Sequence, residues 1–149
     1  GVDIDLSQVL FVFSFNDETR INRILKDRMQ VIRTKGYETK DKIQIAQNYL
    51  LPEIYNTFDY TKNDIVFTDE IITHIVDKYT ESEEGVRNLK RCLENIISIL
   101  NIYNLTDNEE MIMESKIKDF KLPIELNDEH ISALLKINNG DAPPVNMYL

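Results

Sequence analysis

VRNLKRCLENIISIL, residues 86–100, sets the fold class of this 149-residue chain. Val86, Leu89, Leu93, Ile96, Ile97 and Leu100 recur at steps of three and four, which an α-helix gathers onto one face. Cys92 lies beside that stripe and reads as a small buried hydrophobe. Upstream, TDEIITHIVDKY (68–79) repeats the pattern through Ile71, Ile72, Ile75, Val76 and Tyr79, with Thr68 placed to cap the helix. From Thr39, read as an N-cap with Asp41 in the first turn, Ile43, Ala46, Leu50 and Ile54 mark another inward face. Pro52 is expected to kink or end that helix. Downstream, Asn127 caps a last helix through Ile131, Leu134 and Leu135. LTDNEE (105–110) reads as a turn, MIMESKIKDF (111–120) as helical and the residues after Asn138 as a tail.

Strands are the minority. LSQVLFVFSF (6–15) is apolar without alternation, the pattern of a strand covered on both faces. Ile21, Ile24 and Leu25 have helical spacing, MQVIR (29–33) reads as a short second strand, and Gly36 as the turn after it. IVF (65–67) and LPIEL (122–126) are further short strands. The chain is therefore mainly α with a few short strands. A doubly covered strand followed mostly by helices lacks the neighbours it requires, so the sequence reads as the end of a larger α/β domain followed by a helical subdomain.

Composition narrows the partners. With 42% apolar and 29% charged residues the chain can bury an ordinary core. Lys+Arg 17 against Asp+Glu 26 gives a net charge of -9, which repels phosphate backbones and anionic lipid heads, so nucleic acid is disfavoured. One cysteine makes no internal disulfide, and two histidines complete no thiol and imidazole cluster for zinc, which fits the cytoplasm or another reducing compartment. The apolar run Val9 to Phe13 falls far short of the roughly 20 residues of a membrane helix, so no membrane partner is expected.

Chemistry is sparse. There is no GxxxxGK[ST] loop, no apolar run ending in paired magnesium-binding acids and no GxSxG, so the chain is not expected to hydrolyse a nucleotide alone. His74 and His130 have no thiol or second imidazole nearby and read as structural or solvated. Asn16, after the long apolar run, could hold a water or phosphate at a sheet edge, or simply form a turn. Arg28 could be presented to a neighbour, or pair with Asp27 or Glu18. Arg87 opens a helix, a poor place for a cation unless an anion is near, because the first amides are already partly positive.

VDIDLSQVLFVFSFND (2–17), LKDRMQVIRTKGYETKDKIQIAQNYLLPE (25–53) and YTESEEGVRNLKR (79–91), in that order and spacing, resemble the Lon family of ATP-dependent proteases within the AAA+ superfamily. The resemblance implies that residues 1–36 end a large α/β subdomain, 37–138 form the small helical lid, and 139–149 are a C-terminal tail. By the same resemblance Asn16 matches the sensor 1 asparagine that orients the attacking water. Arg28 falls at the arginine finger reaching into a neighbouring subunit, and Arg87 at the sensor 2 arginine of the lid. It further implies ATP or ADP with magnesium in the intact parent and none held by this chain alone, a homo-oligomeric hexameric ring, and a polypeptide substrate. Phe15 stands where a smaller residue is usual, and Glu81, Glu83 and Glu84 replace a more basic segment. The phosphate loop and the serine-lysine protease domain are absent from this sequence. The parent is expected to be a Lon-like ATPase without its protease, as in large DNA viruses. The alternative is an acidic helical adaptor of AAA+ descent without nucleotide chemistry. In either case an unpaired Leu6–Phe15 is expected to favour dimerisation.

Overall fold

The computed structural model describes residues 1–106, 117 and 120–136. Most of the stretch expected to be helical at 111–120, and the tail, lie outside the described residues. The chain divides into two units, the first ending at Thr34 and the second opening at Lys35.

In the first unit the strands expected at Leu6–Phe15 and Met29–Arg33 are not formed. A strand exists only through a partner's N–H and C=O groups, and the strand residues described pair with each other in the second unit. Leu6–Phe15 is therefore exposed, Leu10 at 86% and Val12 at 84%, although Phe11 and Phe13 still stack at 6.4 Å as residues two apart do on extended backbone. Two short turns of helix follow: a 3-10 turn at Glu18–Arg20, capped by Asp17, and α1 at Arg23–Lys26, capped by Asn22. Glu18 ties this unit together, binding Lys26 Nζ at 2.7 Å and Arg33 through Nη2 at 2.7 Å and Nε at 3.2 Å. Those two cations, Lys26 first, hold its carboxyl below the usual range.

The second unit is helical. Its first helix opens at α2 (Thr39–Ile45), widens into a π-wound turn at Ala46–Leu50 and continues as α3 (Leu51–Phe58). Glu38 is the N-cap, one residue earlier than expected, because its carboxylate accepts the Asp41 N–H while the Asp41 carboxylate accepts the Glu38 N–H, a capping box. Pro52 does not end the helix. The wider turn before it, closed by Leu51 N–H on the Ala46 carbonyl, gives the pyrrolidine ring room beside carbonyls that a straight helix would press against it. The helix stops at Asp59, in the left-handed region at φ 59°.

β1 (Ile65–Val66) pairs in parallel with β2 (Ile124–Glu125), in the register Ile65 to Ile124. The buried Tyr55 hydroxyl donates to the Ile65 carbonyl at 2.6 Å and fixes α3 to this pair. Thr68 caps α4 (Asp69–Tyr79) through the Ile71 N–H, as expected. The longest helix described, α5 (Arg87–Leu105), packs against α3, α4 and the closing helix α6 (Asp128–Lys136). Ile72, Ile75, Leu93, Ile96, Leu100 and Leu134, all below 2% exposure, form the centre of the core. No described helix is long and apolar enough to cross a membrane.

Asn127 and His130 cap α6 reciprocally: Asn127 Oδ1 accepts the His130 N–H at 2.9 Å, and His130 Nδ1 accepts the Asn127 N–H at 3.3 Å. Only a neutral ring has an accepting Nδ1. Burial pushes this imidazole below its ordinary value, against the opposing pull of Glu129. A depressed pKa means that the stabilisation is complete above the ordinary imidazole value and is lost as pH falls through the lowered one. Acidification from about pH 7 to about pH 5 is thus expected to deprotect the Asn127 amide. His130→Gln, which keeps an acceptor and cannot titrate, should flatten that dependence, as read by amide exchange.

Candidate functional site at the head of the longest helix

Arg87 is the first residue of α5, exposed to solvent. Its N-cap, Val86, offers no side-chain acceptor, and the first turn contains no acidic residue. One of the open amides is met from upstream, where Glu83 Oε1 accepts the Asn88 N–H at 2.8 Å. Three acids precede Arg87, yet it forms no ion pair among the described residues. Lys90, one turn on, is held by Glu53 at 3.0 Å. A guanidinium with no ion pair among the described residues, beside amides that already carry partial positive charge, suits an anion with several oxygens.

Arg28 lies in the turn after α1, its N–H on the Leu25 carbonyl at 3.0 Å, and its side chain is exposed. The pairing with Glu18 or Asp27 is not formed, because Lys26 and Arg33 occupy Glu18 and neither acid reaches Arg28. Asn16 is exposed in a bend next to Asp17, whose carboxylate accepts the Thr19 N–H and hydroxyl. Asn16 and Arg28 belong to the first unit and Arg87 to the second.

Elsewhere, His74 and Asp128 stand 3.7 Å apart at a cleft of about 740 Å³ between α4 and α6, also lined by Lys78 and Lys136. Among the described residues no three His, Cys, Asp or Glu side chains are grouped to hold a metal. Burial, and then the Glu83 carboxylate, push the Cys92 thiol up to about 11, which makes it a poor nucleophile at neutral pH. Sequence reasoning missed Lys42, which is 5% exposed and bonded to the Glu83 carbonyl just upstream of Arg87. Lysine in a helical pattern reads as surface, so no local signal marked it.

Comparison with known proteins bears on the same helix. Residues 58–110, which include Arg87, match the Lon protease AAA+ ATPase lid domain. The chain is 43% identical to a Lon protease homolog of Acanthamoeba polyphaga mimivirus over 102 residues, 68% of this chain and 10% of that protein. It is 42% identical to a Lon protease of Cytophaga hutchinsonii over 96 residues, 64% of this chain and 12% of that protein. It is also 32% identical to a mitochondrial Lon protease homolog of Candida albicans over 145 residues, 95% of this chain and 13% of that protein. The chain thus spans about a tenth of the length of these relatives. A helical unit of the expected class, a matched lid and relatives 32% to 43% identical place this chain in the Lon family, as a segment that carries its AAA+ lid.

Proposed function

We propose that this segment supplies the nucleotide-sensing arginine of the lid and an inter-subunit arginine to an ATP-driven ring that unfolds polypeptides. The observation that carries the proposal is Arg87: without an ion pair among the described residues, exposed, at the positive end of a 19-residue helix, and within the stretch that matches a Lon lid. In this reading its guanidinium binds phosphate oxygens of the nucleotide, and loss of the terminal phosphate changes what holds the lid. Arg28 reaches across to a neighbouring subunit's nucleotide, and Asn16 orients the attacking water. Phosphoryl transfer spreads negative charge over the phosphate oxygens, so the residues contribute position and fixed positive charge. The residues near Arg87 suit a phosphate rather than a magnesium ion, because among the described residues no three acidic, His or Cys side chains are grouped to hold a metal, and one oxygen of Glu83 already accepts the Asn88 N–H.

Two measurements test this. Arg87→Ala in the intact ATPase is expected to lower ATP turnover about 100-fold, with assembly by light scattering unchanged. The 149-residue chain by itself is expected to show no turnover above blank. Magnesium-dependent hydrolysis by the lone chain, or full activity in Arg87→Ala, would refute the reading; the second outcome favours the acidic adaptor.

A further inference from the structure

The entry of the chain into the second unit is fastened to the loop that precedes Arg87. The Tyr37 N–H donates to the Glu84 carbonyl at 2.9 Å. Gly36 lies so close to Glu84 that a Cβ on it would stand 2.9 Å from the Glu84 Cβ and 3.3 Å from its Cα. Lys42, buried on α2, extends its ammonium to the Glu83 carbonyl. A buried ammonium is tolerable only while it is bonded, so this contact is costly to break. Glu83 in turn reaches forward with its carboxylate to the Asn88 amide, the residue after Arg87. The capping box of Glu38 and Asp41 stiffens the turn between Tyr37 and Lys42.

We propose that Gly36, Lys42 and Glu83 are positioning residues for Arg87, so that the start of the second unit and the first turn of α5 move as one body. A pull on the chain ahead of Lys35 is then delivered to Arg87 through Glu83 and Glu84 rather than dissipated in a loose loop. The mechanical tie stands on the contacts above. Its consequence for ATP rests on the reading of Arg87 as a phosphate contact.

Amide exchange followed by NMR on the 149-residue chain tests the tie without nucleotide. In Gly36→Ala the added methyl collides with Glu84, and the Asn88 and Lys90 amides are expected to exchange about tenfold faster, with Leu93 and Ile97 unchanged. Adding Glu84→Gly removes the colliding Cβ and is expected to restore the slow exchange, which general loosening of the fold would not do. Lys42→Met keeps the buried stem, loses the donor and is expected to give the same local signature; it decides the matter if Gly36→Ala does not fold. Unchanged exchange at Asn88 and Lys90, an increase shared along all of α5, or no restoration by Glu84→Gly overturns the proposal. In the intact ATPase, Lys42→Met is expected to weaken ATP binding about fivefold in the parent background and not in Arg87→Ala. Exchange behaviour therefore judges the tie, and the effect of Arg87→Ala judges the nucleotide reading.

Discussion

Under the proposed function, Arg28→Ala in the intact parent protein is expected to lower ATP turnover about 1,000-fold or more, roughly 4 kcal/mol of transition-state stabilisation, with nucleotide affinity little changed. The side chain is free to act in this way. It projects from the turn that ends α1, exposed, with its own backbone held and its guanidinium unpaired among the described residues. Of the two acids expected to neutralise it, Glu18 is taken by Lys26 and by a two-pronged contact from Arg33, and Asp27 forms no ion pair with it. Arg28→Lys is expected to recover little, because an ammonium lacks the planar fork that grips two phosphate oxygens. The residue acts on a neighbour in this reading. Mixing Arg28→Ala subunits with Asn16→Ala subunits is therefore expected to restore measurable turnover at interfaces that have one intact donor and one intact acceptor. Activity that stays absent in every mixture would place Arg28 outside the catalytic interface.

Leu93→Ala is expected to have the largest effect on stability, about 3 to 5 kcal/mol and on the order of 10 to 20 °C in the melting temperature followed by circular dichroism. Leu93 is fully buried at 0% exposure on α5, the helix that α3, α4 and α6 all pack against. Truncation there leaves a cavity in the core that the surrounding structure closes only in part. The same change at Leu10, 86% exposed in the first unit, is expected to shift stability by no more than about 0.5 kcal/mol. Equal losses at the two positions would mean that the apolar run of the first unit is packed in solution.

The contrast between those leucines also marks where the sequence was legible. The faces of α4 and α5 followed from spacing, because a helix satisfies its own backbone and needs only one apolar side. Thr68 and Asn127 were readable as caps for the same local reason. Leu6–Phe15 has the composition of a buried strand, but strand formation depends on a partner's backbone, and the first unit holds none among its described residues. β1 and β2 were each visible as short apolar runs, whereas their parallel pairing spans nearly sixty residues and leaves no local trace. At α2 the residue type misled: Thr39 is the commoner cap, yet Glu38 does the work because Asp41 returns its bond. At the site, Arg87 stood out through its conflict with the helix dipole. The contacts that hold its loop, from Tyr37, Lys42 and Gly36, lie some forty residues upstream and were beyond any pattern along the chain.

A structure of the intact oligomer with a non-hydrolysable ATP analogue tests the central claim most directly. The expected result is the Arg87 guanidinium within about 3 Å of a phosphate oxygen of the nucleotide. An Arg87 side chain in solvent, or paired with a protein carboxylate while the nucleotide is bound, would contradict it.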